Sequence, residues 1–269
     1  MPTLALLEEH LAGFGRVLLG YSGGVDSGLL AVAARRALGR ERFLAAIGRS
    51  ASYPAAQWRA ALDLAREFDV PLLELDTHEL DDARYVANTP DRCYFCKTEL
   101  WTRLGHVAGE RGFDVIIDGT NADDLDQHRP GLRAASERGV RSPLAELGWT
   151  KPDVRAAARA LGLAIWDAPA APCLSSRIRY GLPATRERLA QVEQGEAYLR
   201  SLGVTGDLRV RHHGATARLE IEPEQHERLR AGWDVVAAFF AALGFASVEL
   251  DPRGYRRGSL LTVSAQPGS

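Results

Sequence analysis

Ser22-Gly23-Gly24-Val25-Asp26-Ser27 gathers the residue types that hold a phosphate: two glycines, two hydroxyls and a carboxylate. Glycines let a backbone come close to a ligand, and the first N–H groups of a following helix favour an anion. Ser22 and Ser27 add hydroxyl donors, and Asp26 can hold a magnesium ion. No Gly-Lys-Ser/Thr follows the glycines, so this is not a Walker A loop. Gly-x-Gly-x-x-Gly is absent too, which excludes the dinucleotide fingerprint.

Sulfur is the second source of chemistry. Cys93 and Cys96 lie in Arg92-Cys93-Tyr94-Phe95-Cys96-Lys97, just ahead of a helix expected over 98–111, and Cys173 lies in Pro172-Cys173-Leu174-Ser175-Ser176-Arg177. A thiol near a helix N-terminus and basic side chains ionises more readily and becomes a better nucleophile or ligand. Four readings compete: three unrelated thiols, a redox pair, a zinc site and a 4Fe–4S cluster. The redox pair is disfavoured because the segment opens no thioredoxin-like βα unit. Zinc needs a fourth ligand such as His78, Asp91 or His128. A 4Fe–4S cluster on three thiolates leaves one iron open to a ligand such as hydrosulfide. Spacing does not separate the last two.

The elements that must position these groups follow from the apolar patterning. Strands are expected at 16–21, 43–47, 71–75 and 114–118, alternating with helices at 3–11, 27–38, 54–68, 98–111 and 152–161. Thr150 and Asp153 form a capping-box pattern with proline in the first turn. The alternation predicts an α/β fold, a parallel doubly wound sheet with helices on both faces. Ligands of such sheets bind beyond the C-terminal strand ends, where the 22–27 loop and Asp118-Gly119-Thr120-Asn121 would lie. Ala168-Pro169-Ala170-Ala171-Pro172 marks a boundary between 1–168 and a smaller α+β domain, 169–269. That domain reads as a helix at about 185–202, strands at 208–213 and 217–221, a helix at about 223–243 and a strand at 247–251. Pro267-Gly268-Ser269 is expected to fray.

Composition narrows the classes. The chain has 269 residues, 46% hydrophobic and 25% charged, with a net charge of −2, which describes a globular protein and argues against a general nucleic-acid binder. No apolar run reaches spanning length and no signal peptide is evident, so a cytoplasmic location without a membrane partner is expected. An odd number of cysteines makes no disulfide framework.

The 22–27 loop resembles the SGGxDS loop of the PP-loop ATP pyrophosphatases, an adenine nucleotide α-hydrolase-like fold. There it holds the β,γ-pyrophosphate of ATP as leaving group while a nucleophile attacks the α-phosphate. Further segments narrow the resemblance: 88–97, Asp118-Gly119-Thr120-Asn121-Ala122-Asp123-Asp124, Arg129-Pro130-Gly131-Leu132, 137–144, Cys173-Leu174-Ser175-Ser176-Arg177-Ile178 and Leu208-Arg209-Val210-Arg211-His212-His213. In this order they resemble the LarE family, ATP-dependent sulfurtransferases that help make the nickel-pincer nucleotide. The resemblance implies a pyridinium mononucleotide bearing two carboxylates as substrate, thiolated through an acyl adenylate. Asp118, Thr120 and Asn121 are candidates to contact the nucleotide or magnesium, with Gly119 beside them at ATP, and the resemblance implies that Arg209 and Arg211 bind a substrate or phosphate anion. In the family the cysteine matching Cys173 can be sacrificed, leaving dehydroalanine. Members that also carry the Cys-x-x-Cys pair are thought to hold a 4Fe–4S cluster with labile sulfide, and Cys93, Cys96 and Cys173 place this chain with them. A sulfide donor and a homo-oligomer are implied as partners.

Rivals are a tRNA thiolase, an NAD or GMP synthetase, and an iron–sulfur carrier. No tRNA-binding module or basic surface is evident, a synthetase needs no cysteine triad, and a carrier needs no phosphate loop. Bland readings attach to other residues: a β-turn for 118–121, a helix cap for Asp123 and Asp124, core for Tyr94 and Trp101, and solvated charges for Glu196, Glu220 and Glu222. Residues alone would make Arg209 and Arg211 a solvated basic face. Two departures from the family pattern are Ala168, where many relatives have lysine, and Gly48-Arg49-Ser50, the loop expected at adenine.

Overall fold

The computed structural model describes residues 2–125, 130–169 and 172–256. His128, Arg129, Ala170, Ala171 and the terminal Pro267-Gly268-Ser269 lie outside the described residues. The chain divides into two compact units, Met1–Glu79 with Cys93–Ala171 and Leu80–Arg92 with Pro172–Ser269.

In the first unit the order is α1 (Leu4–Ala12), β1 (Val17–Gly20), α2 (Val25–Leu38), β2 (Phe43–Arg49), α3 (Ala55–Glu67) and β3 (Leu72–Asp76). After α4 (Ala83–Val86), which belongs to the second unit, come α5 (Arg92–Arg111), β4 (Val115–Ile117), α6 (Ala122–Leu125), α7 (Pro130–Ser136), α8 (Pro143–Glu146) and α9 (Lys151–Ala160). The four strands are parallel in the order β3-β2-β1-β4, with Val17 opposite both Phe43 and Val115. Arg141 forms an isolated parallel bridge with Ile117, prolonging the sheet beyond β4.

Period-two alternation sorts the strand residues. Val17, Leu19, Ala45 and Ile47 join one apolar cluster with residues of α1, α2, α3 and α9, while Leu18 and Ala46 join another with Trp101, Leu104 and Ala134 of α5 and α7. Both faces are therefore covered, as in a doubly wound sheet. The α9 start has the expected capping box, with Thr150 accepting from the Asp153 N–H and Asp153 from the Thr150 N–H. Such a cap contributes about 1 kcal/mol.

The second unit contains α4, α10 (Arg186–Ser201), β5 (Leu208–His212), β6 (Thr216–Ile221), α11 (His226–Arg230), α12 (Trp233–Ala242) and β7 (Ser247–Leu250). β5 and β6 are antiparallel, and β6 and β7 parallel. Leu208, Val210, Ala217, Leu219 and Ile221 face a core with Leu199, Val236 and Phe240.

Three features differ from the patterning. The helix expected from residue 98 begins at Arg92, so Cys93 and Cys96 are helical. The helix expected over 223–243 is a 3-10 turn, Pro223–Gln225, then α11 and α12, divided at Gly232 with φ −124° and ψ 27°. Residues 80–92 pack with the second unit, a crossing that a linear division does not contain.

Candidate active site

The phosphate loop leaves β1 and enters α2, with Gly24 as N-cap in extended conformation. Gly23 has φ +65°, and a Cβ there would stand 2.5 Å from the Ala61 Cβ, so glycine is required by both backbone and space. The loop is braced from within and from α3. The Ser27 hydroxyl lies 3.1 Å from the Ser22 hydroxyl and donates to the Gly24 carbonyl. The Tyr53 hydroxyl at 2.8 Å and the Gln57 amide at 3.0 Å donate to the Ser22 carbonyl. Burial pushes the Tyr53 hydroxyl above its ordinary 10, and burial with Tyr53 nearby does the same for Tyr21, so both remain protonated donors.

Asp26 sits in the first turn of α2 between two partners. The Lys151 ammonium reaches its Oδ2 at 2.5 Å, and the Asn121 amide donates to its Oδ1 at 3.0 Å. Among the described residues the buried Asn121 Oδ1 has no hydrogen-bond partner. A carboxylate beside that oxygen suits magnesium, which takes one or two protein oxygens and completes its shell with phosphate and water.

The 118–121 segment is a turn, as its residues imply. Asp118 accepts from the Thr120 N–H at 3.0 Å and hydroxyl at 2.9 Å, and from the Ser142 hydroxyl at 2.8 Å. The Thr120 hydroxyl is therefore engaged inside the turn. Gly119 lies against the phosphate loop: a Cβ there would stand 2.8 Å from the Ser27 nitrogen and 3.0 Å from its Cα. Gly119 and Asn121 thus reach the site, Gly119 by close approach and Asn121 by its amide. Asp124 accepts from the Asn121 N–H at 3.4 Å, and Asp123 accepts from the first N–H of α9, at Lys151, at 2.8 Å.

Lys151 is the residue that sequence reasoning missed. A lysine at the first position of a helix opposes the helix dipole, and that mismatch behind a capping box was the available signal.

Trp101 and Tyr94 follow the core reading. Trp101 is buried with its ring within 2.6 Å of where a Gly20 Cβ would stand, and Tyr94 packs against the same cluster while donating to Glu137. Gly48 and Arg49 are strand residues, Arg49 pairing with Asp76, and Ser50 lies 2.9 Å from Ser52, which donates to the buried Glu79.

Cys93 and Cys96 stand three residues apart on α5, hence on one helix face. Cys173 precedes a 3-10 turn, Leu174–Arg177, in the second unit. Among the described residues none of the three is joined in a disulfide. Among the described residues no three His, Cys, Asp or Glu side chains gather as a metal site.

Arg209 and Arg211 are not a solvated face. Each is only 6% exposed. Arg211 pairs with the buried Glu220 at 2.8 Å, and Arg209 stacks on Tyr255 with its guanidinium carbon 4.8 Å from the ring centre. Burial, then the neighbouring Arg177, pull the Arg209 guanidinium below its ordinary range. Glu220 is likewise buried, and the half-buried Glu196 pairs with Arg177 at 2.9 Å. The reason is charge matching, since a buried guanidinium demands a carboxylate.

Residues 6–104, from α1 into α5, match the family described as NAD synthase. With the parallel sheet and its loop, this defines the class: a PP-loop ATP pyrophosphatase. The chain is 36% identical over 264 residues, 97% of its length and 95% of the relative's, to a pyridinium-3,5-bisthiocarboxylic acid mononucleotide synthase of Lactiplantibacillus plantarum. It is also 41% identical over 259 residues, 96% of each chain, to an uncharacterized protein of Synechocystis sp.. A third relative, from Methanocaldococcus jannaschii and also uncharacterized, is 30% identical over 243 residues, 90% of this chain and 91% of its own. The chain belongs to the LarE family and is an ATP-dependent sulfurtransferase.

Proposed function

We propose that this enzyme thiolates both carboxylates of a pyridinium-3,5-dicarboxylate mononucleotide on the route to a nickel-pincer cofactor. The observation that carries the reading is the end-to-end similarity to the bisthiocarboxylic acid mononucleotide synthase. A carboxylate accepts sulfur poorly because its oxygen is a poor leaving group. Attack of the carboxylate on the ATP α-phosphate forms an acyl adenylate and releases pyrophosphate. Hydrosulfide then adds to the acyl carbon, AMP leaves with the bonding pair, and a proton is released as the thiocarboxylate forms.

In this reading the loop residues Ser22, Gly23, Gly24 and Ser27 receive the pyrophosphate, with Gly119, Thr120 and Asn121 beside it. Asp26 and Asn121 would hold magnesium, which neutralises phosphate charge, and Lys151 turns its ammonium from Asp26 to a phosphate oxygen. Arg209 and Arg211 bind the anionic end of the substrate, and the second unit (169–269 in the linear division) binds substrate and contacts other copies of the chain. Thiolate donors suit a 4Fe–4S cluster, and Cys93, Cys96 and Cys173 would hold it, leaving one iron open for the labile sulfide that the cluster would carry. A cytoplasmic location and an external sulfide donor complete the picture.

The test is pyrophosphate release with ATP and the pyridinium substrate. Release that requires the substrate is expected; release without it, or none, contradicts the reading. Anaerobic iron and sulfide counts test the cluster, which zinc at the cysteines would refute. Dehydroalanine at position 173 after turnover with sulfide would instead show sacrificial transfer.

A further inference from the structure

The turn carrying Cys173 is fastened to the strand carrying the arginine pair at several points, all within the second unit. Arg177 spans the junction. Its Nη1 donates to the carbonyls of Pro172 and Cys173, the latter at 3.0 Å. Its Nε and Nη2 donate to the Glu196 carboxylate at 2.9 and 3.2 Å. Glu196 also accepts from the backbone N–H of Val210 at 3.2 Å, the residue between Arg209 and Arg211. Arg211 ties back from the strand, its Nη1 donating to the Ser176 carbonyl at 3.0 Å. The Arg179 N–H donates to the His212 carbonyl at 3.1 Å, and Ile178 bridges His212.

The other side of the turn is held by the 80–92 segment. The Arg92 Nη1 donates to the Ser175 carbonyl at 2.9 Å, and the Tyr85 hydroxyl lies 2.6 Å from that of Ser175. Asn88, fully buried at φ +53°, donates its amide to the carbonyls of Arg179 and Leu182, each at 2.9 Å. A non-glycine residue in that backbone region is strained and persists only where its surroundings hold it.

Burying Arg177, 3% exposed, costs several kcal/mol before pairing, and an apolar side chain would pack a turn against a strand more favourably. What an apolar residue lacks is direction. A planar guanidinium fixes two carbonyls on one edge and a carboxylate on another, which lysine does not reproduce.

We propose that Arg177, acting through Glu196, is a positioning residue that sets the register of Cys173 against the Arg209–Arg211 strand. A substrate anchored by its phosphate on that strand then meets sulfur at one fixed separation. This rests on the proposed roles of Cys173 and the arginine pair. Arg177 itself touches neither substrate nor the reacting atoms.

The test separates the two half-reactions. In the holoenzyme, Arg177→Gln is expected to leave substrate-dependent pyrophosphate release within about twofold while thiocarboxylate formed per pyrophosphate falls about 100-fold, the scale of a 1 Å misplacement. Arg177→Lys recovers part of that ratio. An unchanged ratio overturns the proposal, and so does an equal fall in both steps, which marks a folding role. Arg177→Gln/Glu196→Gln removes both charges together and serves if the single variant does not fold. A second readout needs no turnover. In a Cys93→Ser/Cys96→Ser chain, alkylation of Cys173 by iodoacetamide is expected to speed up about tenfold on Arg177→Gln as its turn loosens; an unchanged rate overturns the proposal. If the wild type releases no pyrophosphate with the pyridinium substrate, the functional reading fails, and alkylation alone decides the register.

Discussion

Asp26 is where the chemistry of the first unit converges: its two oxygens are claimed by an ammonium and an amide. Asp26→Asn keeps the shape and removes the charge, so pyrophosphate release should fall about 100-fold with little change in melting temperature. Lys151→Ala should cost a similar factor, since it removes a cation aimed at the same place. Equal falls in melting temperature and rate would mean the pair is structural. Glu146 gives a pH prediction. Hydrogen bonding to Arg141, and then to His10, holds its carboxyl at about 2, against an ordinary 4.5. The unfolded chain therefore binds a proton between these values that the folded chain refuses. The stabilisation is complete above 4.5 and lost as pH falls towards 2. Acid unfolding of Glu146→Gln followed by fluorescence should lack that component.

At the scale of elements, the approach of the β4 loop to α2 decides whether the site assembles. Gly119→Ala places a methyl against Ser27 backbone, which cannot yield as a side-chain tip would. It should cost about 1–3 kcal/mol and weaken ATP binding, measured by calorimetry. In the second unit, burial lowers His212 and His213 to about 4, helped for His212 by Arg188 and for His213 by Arg218 and Arg179. Unfolding frees both to take protons below 6.5, so stability should fall as pH drops from 6.5 to 4. His213→Gln should flatten that slope in denaturant titrations.

The alternation of β1 to β4 with helices was legible because buried parallel strands read as apolar runs, as Val17-Leu18-Leu19 does. The start of α5 was not, because Arg92 to Lys97 shows no apolar period to announce a helix, although Asp91 just before it is an N-cap residue type. The split at Gly232 was hidden by the apolar run that follows from Val235 to Leu243. Within the site, Ser22 to Ser27 and Asn121 were legible from residue type. Lys151, Tyr53 and Gln57 were not, because they reach the loop only through the fold. By residue type alone Arg209, Arg211, Glu196 and Glu220 read as solvated charge, since single residues carry no record of burial; in the fold Arg211 pairs with Glu220, Glu196 with Arg177, and Arg209 stacks on Tyr255.

For the whole molecule, the proposed function divides the work: ATP would activate a carboxylate on the first unit, and the arginine strand and Cys173 turn of the second would handle substrate and sulfur. The similarity to a bisthiocarboxylic acid mononucleotide synthase extends over 97% of the chain and so over both units. The most direct test is mass spectrometry of the pyridinium-3,5-dicarboxylate mononucleotide after incubation with reconstituted enzyme, ATP, magnesium and sulfide under anaerobic conditions. The account predicts a product in which sulfur replaces one oxygen in each carboxylate, formed only with ATP and with AMP in step. Substrate returned unchanged while ATP is consumed, or sulfur found instead on RNA, would contradict it.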